Sequence, residues 1–360
     1  MNILFSYFIP SGGVETLNRQ RFYALHPYNI NCHFLYLQEG KGLQNKIQAP
    51  IFISNDDKEI NHIIKKGDYD AIIVNTDINL LKKIKESGYE GLVIYENQGL
   101  GKNKEYADYY IRNHVAPILN QYCDALLYPK TAHLKSAFEK NFPNIQKYCF
   151  QNSFDTKDFH YRKIPKHPHP IIGWVGRLEK NKNWREFLTI GATLMKENHN
   201  IKLWMFEDST LAEKEERIAF EKMILKLKLK EKLKVFSNQP HHKMSMFLSE
   251  IGDSGGFLCS TSKVEGFGYA VLEAMACKCP VLTTDSDGVR SLIKHNKTGK
   301  LYPINHISKA SVEAKELMFN YELRDKIRKT GVQHIKRHFS PEQYAEKFIR
   351  MINELKQRNK

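Results

Sequence analysis

No run of apolar residues in this chain approaches the roughly 18 that a membrane-spanning helix needs. The longest, such as Ala71 to Val74 and Ile171 to Val175, are strand-sized, which excludes a bilayer-crossing helix. The opening residues MNILFSYFIPSGG lack a cationic lead, and their apolar stretch stops at Pro10. They read as a first buried strand, not an export signal. Cysteine is sparse: six residues (Cys32, Cys123, Cys149, Cys259, Cys277, Cys279) lie scattered, mostly within apolar runs. Free thiols packed in a reducing compartment look like this, so no disulfides are expected. Cys277 and Cys279 flank a single lysine, but no second cysteine or histidine pair stands at ligand spacing, which sets aside a zinc site. Low-complexity tracts and internal repeats are absent as well, and the two densest basic segments, Lys222 to Lys234 and Arg324 to His338, lack the interleaved aromatics on which nucleic-acid bases stack. They read as solvated helix faces and a loop.

What is present is material for two ordinary domains: 360 residues, 41% of them hydrophobic, enough for two separate cores. The formal net charge is +15, so the expected partners are anionic: phosphorylated small molecules, an anionic membrane face or nucleic acid. The expected place is the cytoplasm, with a basic surface suited to the inner face of a membrane.

Short apolar runs alternate with helical patterns from end to end. Strands are expected at Ile3 to Phe8, Cys32 to Leu37, Ala71 to Asn75, Leu92 to Tyr95, Ala125 to Tyr128 and Tyr148 to Gln151, with helices over Val14 to Leu25, Ile78 to Glu86, Glu105 to Tyr122 and Thr131 to Lys140. Repeated βαβ units of this kind imply a parallel sheet covered on both faces. A polar, proline-punctuated stretch from Asp155 to Pro170 breaks the pattern and marks a domain boundary. The alternation then restarts, including a long helix over Leu211 to Leu229. The expected fold class is therefore α/β, two doubly wound Rossmann-like domains facing a central cleft. The divisions are 1–155, 156–338 and a C-terminal helix in 339–360, begun by Ser340 and Pro341, that packs back on the first domain. Ligands of such sheets bind beyond the carboxyl ends of the strands.

The segment VEGFGYAVLEAMACKCP, 264–280, carries the strongest chemical signal. Glu265 follows a strand; Gly266 and Gly268, on either side of Phe267, let the backbone approach a ligand; a helix begins at Tyr269 and Ala270, and a helix N-terminus aimed at a cleft suits phosphate, so Gly266 to Ala270 are donor-binding candidates. Glu273 is one turn on. A capping box would need Ser or Thr at position 270, where alanine stands, so Glu273 requires another partner, and the vicinal hydroxyls of a ribose suit it. The segment GWVGRLEKNKNW places Arg177 and Lys182 after another strand, where they can grip a diphosphate. Gly12 and Gly13 supply a third strand-to-helix loop able to present N–H groups to an anion.

These motifs resemble those of the retaining glycosyltransferases of family 4 (glycosyl transferases group 1), which have the GT-B fold. The glutamates eight positions apart are the specific element; the Gly12-Gly13 loop and the Arg177–Lys182 pair support it. The resemblance runs nearly the length of the chain, through the interdomain segment QNSFDTKDF (151–159) and LKEKLKVFSNQP, the nucleobase strand and loop with Phe236 and Ser237. It implies transfer of a sugar from a nucleotide-sugar with retention of anomeric configuration and without a metal or other cofactor. Arg177 and Lys182 would hold the diphosphate, Glu273 the ribose and Glu265 the donor sugar. A UDP-hexose or UDP-N-acetylhexosamine is the favoured donor, although base contacts around Phe236 to Gln239 fall largely to backbone and do not separate uracil from guanine. The acceptor would be a glycan, cell-wall polymer, lipid-linked or small molecule. Family members often carry a histidine at the end of one first-domain strand; here VIYENQGLGKN puts Glu96, Asn97 and Gln98 there, and these with Lys102 become the acceptor-side candidates. Asp285 and Asp287 mimic a metal-binding pair but stand where the family has a glycine turn. The rival readings are a nucleotide-sugar epimerase of the same fold and a basic nucleic-acid-binding protein.

Overall fold

The computed structural model describes residues 1–99, 108–157, 159–165 and 167–358. The chain divides into two compact units, Met1–Asp155 with His338–Lys360, and Thr156–Arg337. Each is built on an all-parallel sheet, so the α/β class and the doubly wound architecture are established.

The first unit has β1 (Asn2–Tyr7), β2 (Asn31–Tyr36), β3 (Ile51–Ile53), β4 (Ala71–Asn75), β5 (Leu92–Glu96), β6 (Ala125–Tyr128) and β7 (Gln146–Cys149), in the order β3-β2-β1-β4-β5-β6-β7. Its helices include α1 (Gly12–Leu25), α2 (Asp57–Gly67), α3 (Ile78–Glu86), α4 (Ala116–Tyr122) and α5 (Ala132–Asn141). Strands β4 and β5 are buried along their whole length, as expected of central strands covered on both faces. Helix α2 was not marked by the apolar runs, yet its start carries a local signal: the Asp56 carboxylate accepts the Glu59 N–H at 2.9 Å, an N-cap that satisfies an orphan donor. The expected helix over Glu105 to Tyr122 is helical over its described part, 108–122, with a π-turn at Ile111–Val115. There the Ala116 N–H reaches back to the Ile111 carbonyl, a widened turn just ahead of Pro117, which has no N–H to offer.

The second unit has β8 (Ile171–Val175), β9 (Lys202–Glu207), β10 (Leu233–Ser237), β11 (Phe257–Ser260), β12 (Val281–Thr284) and β13 (Lys300–Tyr302), in the order β10-β9-β8-β11-β12-β13. Helices α6 (Trp184–Glu197), α7 (Lys214–Lys226), α8 (His241–Asp253), α9 (Tyr269–Ala276), α10 (Ile307–Phe319) and α11 (Tyr321–His338) complete it. The single helix expected over Leu211 to Leu229 is instead a 3₁₀ turn at Ser209–Leu211 followed by α7. The Asp208 carboxylate takes the Thr210 N–H at 3.0 Å and favours a local turn over helix extension. The edge strands β3 and β13 span three residues each, too few for a periodic signal.

The last helix, α12 (Pro341–Arg358), belongs to the first unit. Its Tyr344, Phe348, Met351, Ile352 and Leu355 share a core with Phe5, Phe34, Ile73 and Ile94 on one face of that sheet. Helices α2 to α5 cover the other face. All six cysteines are free thiols; burial pushes those of Cys32 and Cys279 up to about 12. Among the described residues no helix is long and apolar enough to cross a membrane.

Candidate functional site

In a doubly wound sheet the chain leaves in opposite directions at the point where strand order reverses, and a crevice opens beyond the carboxyl ends of the two strands. In the second unit that point lies between β8 and β11, which pair in parallel at Phe257–Ile172 and Leu258–Gly173. The loop after β8 carries Arg177 and Lys182; the loop after β11 carries Glu265.

These loops are tied to each other. The Asn181 side chain donates to the Val264 carbonyl at 3.0 Å and accepts the Val264 N–H at 3.1 Å, while its backbone carbonyl takes the Lys263 N–H at 2.8 Å. The Thr261 hydroxyl donates to the Lys182 carbonyl at 2.9 Å and accepts the buried Trp174 indole N–H at 3.1 Å. The ties bring the Lys182 Nζ to 2.8 Å from Glu265 Oε2, joining residues 83 positions apart. Both side chains keep part of their surface open, at 22% and 17% exposure. Arg177 is more open and leans on Glu179 at 3.2 Å.

The backbone around Glu265 is constrained by two glycines. Gly268 caps α9 at φ +89°, a left-handed conformation that strains any L side chain. Gly288 approaches so closely that a Cβ there would stand 2.0 Å from the Glu265 carbonyl oxygen. Gly266 completes the loop, and the buried rings of Phe267 and Tyr269 meet edge-on at 4.9 Å. The N-cap of α9 is Gly268, which has no side chain to cap the first turn, and the helix begins with Tyr269 and Ala270, so the positive end of its dipole lies beside the Glu265 loop.

Glu273, one turn further on, is buried, and its Oε1 lies 2.8 Å from Nε2 of His241, the first residue of α8. His241 stacks at 4.6 Å on the Phe159 ring. The capping-box frame set the cap at Ala270, whereas the helix is capped at Gly268 and Glu273 is its fifth residue, too far in to cap it; the sequence does not reveal His241, whose proximity depends on the packing of α8 against α9. Phe236 stacks on Phe206 at 4.8 Å and meets Phe247 at 5.0 Å. Ser237 donates to the Ser209 hydroxyl at 2.6 Å. These two residues lie on β10, the edge strand, two positions across the sheet from β8.

The remaining candidates belong to the first unit. Gly12 and Gly13 form the first turn of α1. Glu96 ends β5 almost wholly buried, its Oε1 and Oε2 accepting from the Arg21 guanidinium at 2.7 and 3.1 Å. Asn75 and Gln98 each donate to it at 2.9 Å. The Glu96 carboxylate is thereby committed to the interior, where it offsets Arg21 and orients Gln98. The half-buried Gln98 also accepts from Asn152 at 2.7 Å, and Asn97 accepts the Gly99 N–H at 2.9 Å. Lys102 lies outside the described residues. Asp285 is held by the Arg290 guanidinium at 2.7 and 3.0 Å, which keeps its carboxyl below the usual range.

Residues 156–334 match the family Glycosyl transferases group 1. Among curated relatives, the chain is 27% identical over 229 residues to the N-acetylgalactosamine-N,N'-diacetylbacillosaminyl-diphospho-undecaprenol 4-alpha-N-acetylgalactosaminyltransferase of Campylobacter jejuni, a stretch covering 60% of this chain and 58% of that protein. It is 22% identical over 213 residues to the poly(ribitol-phosphate) alpha-N-acetylglucosaminyltransferase of Staphylococcus aureus, covering 58% of this chain and 41% of the relative. The chain thus spans about half the length of the curated relatives it matches. Among solved structures, Anabaena HepE in complex with UDP-glucose superposes with a TM-score of 0.82 at 14% identity, covering 98% of this chain and 100% of that one. Sucrose-phosphate synthase from Thermosynechococcus elongatus superposes at 0.79 and 14% identity, covering 98% of each chain. Both likenesses are likenesses of fold, and that fold is GT-B.

Proposed function

We propose that the protein is a glycosyltransferase of group 1 that takes a sugar from a UDP-sugar, keeps its anomeric configuration, and passes it to a glycan or polymer acceptor without a metal ion. The observation that carries this reading is the Lys182–Glu265 pair, held by tied loops at the switch point beside the glycine-capped start of α9. Supporting it are the family match over the second unit and a structural relative solved with UDP-glucose.

As the bond between sugar and diphosphate breaks, negative charge grows on the leaving phosphate and positive charge on the sugar ring. Lys182, Arg177 and the first N–H groups of α9 are fixed donors for the former. Their stabilising effect is large because they need no reorganisation as the charge develops. Glu265, oriented by Lys182, would bind donor-sugar hydroxyls and lie close to the oxocarbenium-like centre. Glu273 would accept from the ribose, and Phe236 and Ser237 would flank the base. On the first unit, Gly12 and Gly13 would present backbone N–H groups, while Asn97, Gln98 and Lys102 would receive the acceptor. The basic surface leaves contact with an anionic membrane open to a vesicle-binding assay.

A thermal-shift series with nucleotides and then nucleotide-sugars tests the donor assignment. UDP and one UDP-sugar should raise the melting temperature, since ligand at a hundred times its Kd contributes about 2.7 kcal/mol. Incubation of that donor with acceptor glycans should yield a transferred sugar of unchanged anomeric configuration. Failure of every UDP-sugar to shift melting, or formation of an epimer from donor alone, overturns the proposal.

A further inference from the structure

His241 is the feature of the second unit that the proposed chemistry does not use. It approaches Glu273 from a different helix, and both side chains are largely buried, at 16% and 7% exposure. An ionised carboxylate can only accept, so the hydrogen between Nε2 and Oε1 comes from the imidazole. The ring plane is set by the stack on Phe159, 4.6 Å between centroids and 29° between planes, and Phe159 is itself buried. A histidine locked in this way holds Oε1 in one direction.

We propose that His241 is a positioning residue for the nucleotide: its Nε2–H pins one oxygen of Glu273 so that the other is presented, already oriented, to the sugar hydroxyls of a nucleoside diphosphate. This inference rests on the reading of Glu273 as the ribose acceptor. A buried glutamate in the second turn of a short helix can turn about its χ angles, and each wrong rotamer lowers affinity by reducing the competent fraction. The histidine removes those alternatives before the ligand arrives, and preorganisation of this kind raises affinity without adding a contact to the ligand.

Two substitutions separate the hydrogen-bond donor from the ring. His241→Phe keeps an aromatic against Phe159 and removes the N–H; His241→Gln removes the ring and keeps an N–H at a similar reach. Calorimetric titration of full-length protein with UDP and with 2′,3′-dideoxy-UDP, which lacks the hydroxyls, reads the effect. In H241F the Kd for UDP should rise about tenfold, as for loss of a hydrogen bond to a charged group, and the preference for UDP over the dideoxy compound should collapse. H241Q should stay within about threefold of the wild type in both measures. In turnover assays the H241F loss should fall on donor KM, with kcat little changed.

A retained preference in H241F beside a lost one in Glu273→Ala would show that Glu273 needs no positioning, and would end this inference while leaving the ribose reading intact. Equal losses in H241F and H241Q toward both nucleotides would assign His241 to packing and overturn it as well. Full preference in Glu273→Ala would remove the ribose reading itself, and the inference with it. His241→Ala with the same two nucleotides replaces H241F if that variant does not fold.

Discussion

Charge placement separates the two kinds of ionic side chain in this molecule. Arg177 and Lys182 keep surface open beside a helix start, whereas Arg21 and Glu96 are sealed in the first unit with both carboxylate oxygens occupied. The first kind is expected to serve turnover and the second to serve folding. Arg177→Ala and Lys182→Ala should each lower kcat by about 10²- to 10³-fold, the range for removing one preorganised donor, with little change in melting temperature. Unaltered kcat in either purified variant would take that residue out of the chemistry. Arg21→Met, by contrast, leaves Glu96 buried without its counter-ion and should cost about 3–5 kcal/mol in denaturant unfolding. A variant as stable as the wild type would show that Glu96 is not held for the fold, and would return its carboxylate to the acceptor-side candidates.

At the scale of elements, the site depends on helices that begin where the sheet needs them. Helix α6 follows the Lys182 loop, and its start is secured by Glu216 of α7, which accepts from the Trp184 indole N–H at 2.9 Å and from both terminal nitrogens of Arg185. The Arg185 guanidinium, with the Trp184 N–H, holds the Glu216 carboxyl below its ordinary value of 4.5. A depressed folded-state value means stability that is present above the unfolded value and lost as pH falls through the folded one. Glu216→Gln should therefore cost about 1–3 kcal/mol at neutral pH and progressively less as acid protonates the wild-type carboxyl. Stability curves of the two proteins against pH should converge on the acid side; parallel curves would contradict the assignment. Helix α12 anchors the chain end to the first sheet, and Phe348→Ala there should cost about 3–5 kcal/mol through the cavity it leaves, read as a lower midpoint in urea.

For the whole molecule, the +15 charge would draw the anionic donor of the proposed chemistry by a long-range field that salt screens over about 8–10 Å. Donor KM should rise as ionic strength increases from low to physiological, while kcat holds. A KM indifferent to salt would confine the charge to solubility. Turnover should also persist in excess chelator, because the diphosphate is balanced by Arg177, Lys182 and the start of α9 in the proposed chemistry. Loss on chelation with rescue by manganese or magnesium would overturn the proposed metal-free chemistry.

Composition and periodicity alone determined the α/β class and most strands of both sheets, because a central parallel strand is a continuous apolar run whatever surrounds it. They also marked Arg177, Lys182, Glu265 and Glu273, since strand-to-helix loops and the glutamate spacing are local facts. The short edge strands β3 and β13 escaped that reading because three residues carry no period. Only the tertiary structure decided which charges meet. The Lys182–Glu265 pair spans 83 positions and forms because Asn181 and Thr261 tie two loops at the point where strand order reverses. Glu96 became a buried counter-ion because Arg21 of α1 reaches the carboxyl end of β5, and Glu273 acquired His241 because α8 packs beside α9. Such pairings follow from the order in which parallel strands assemble, which no local pattern along the chain records.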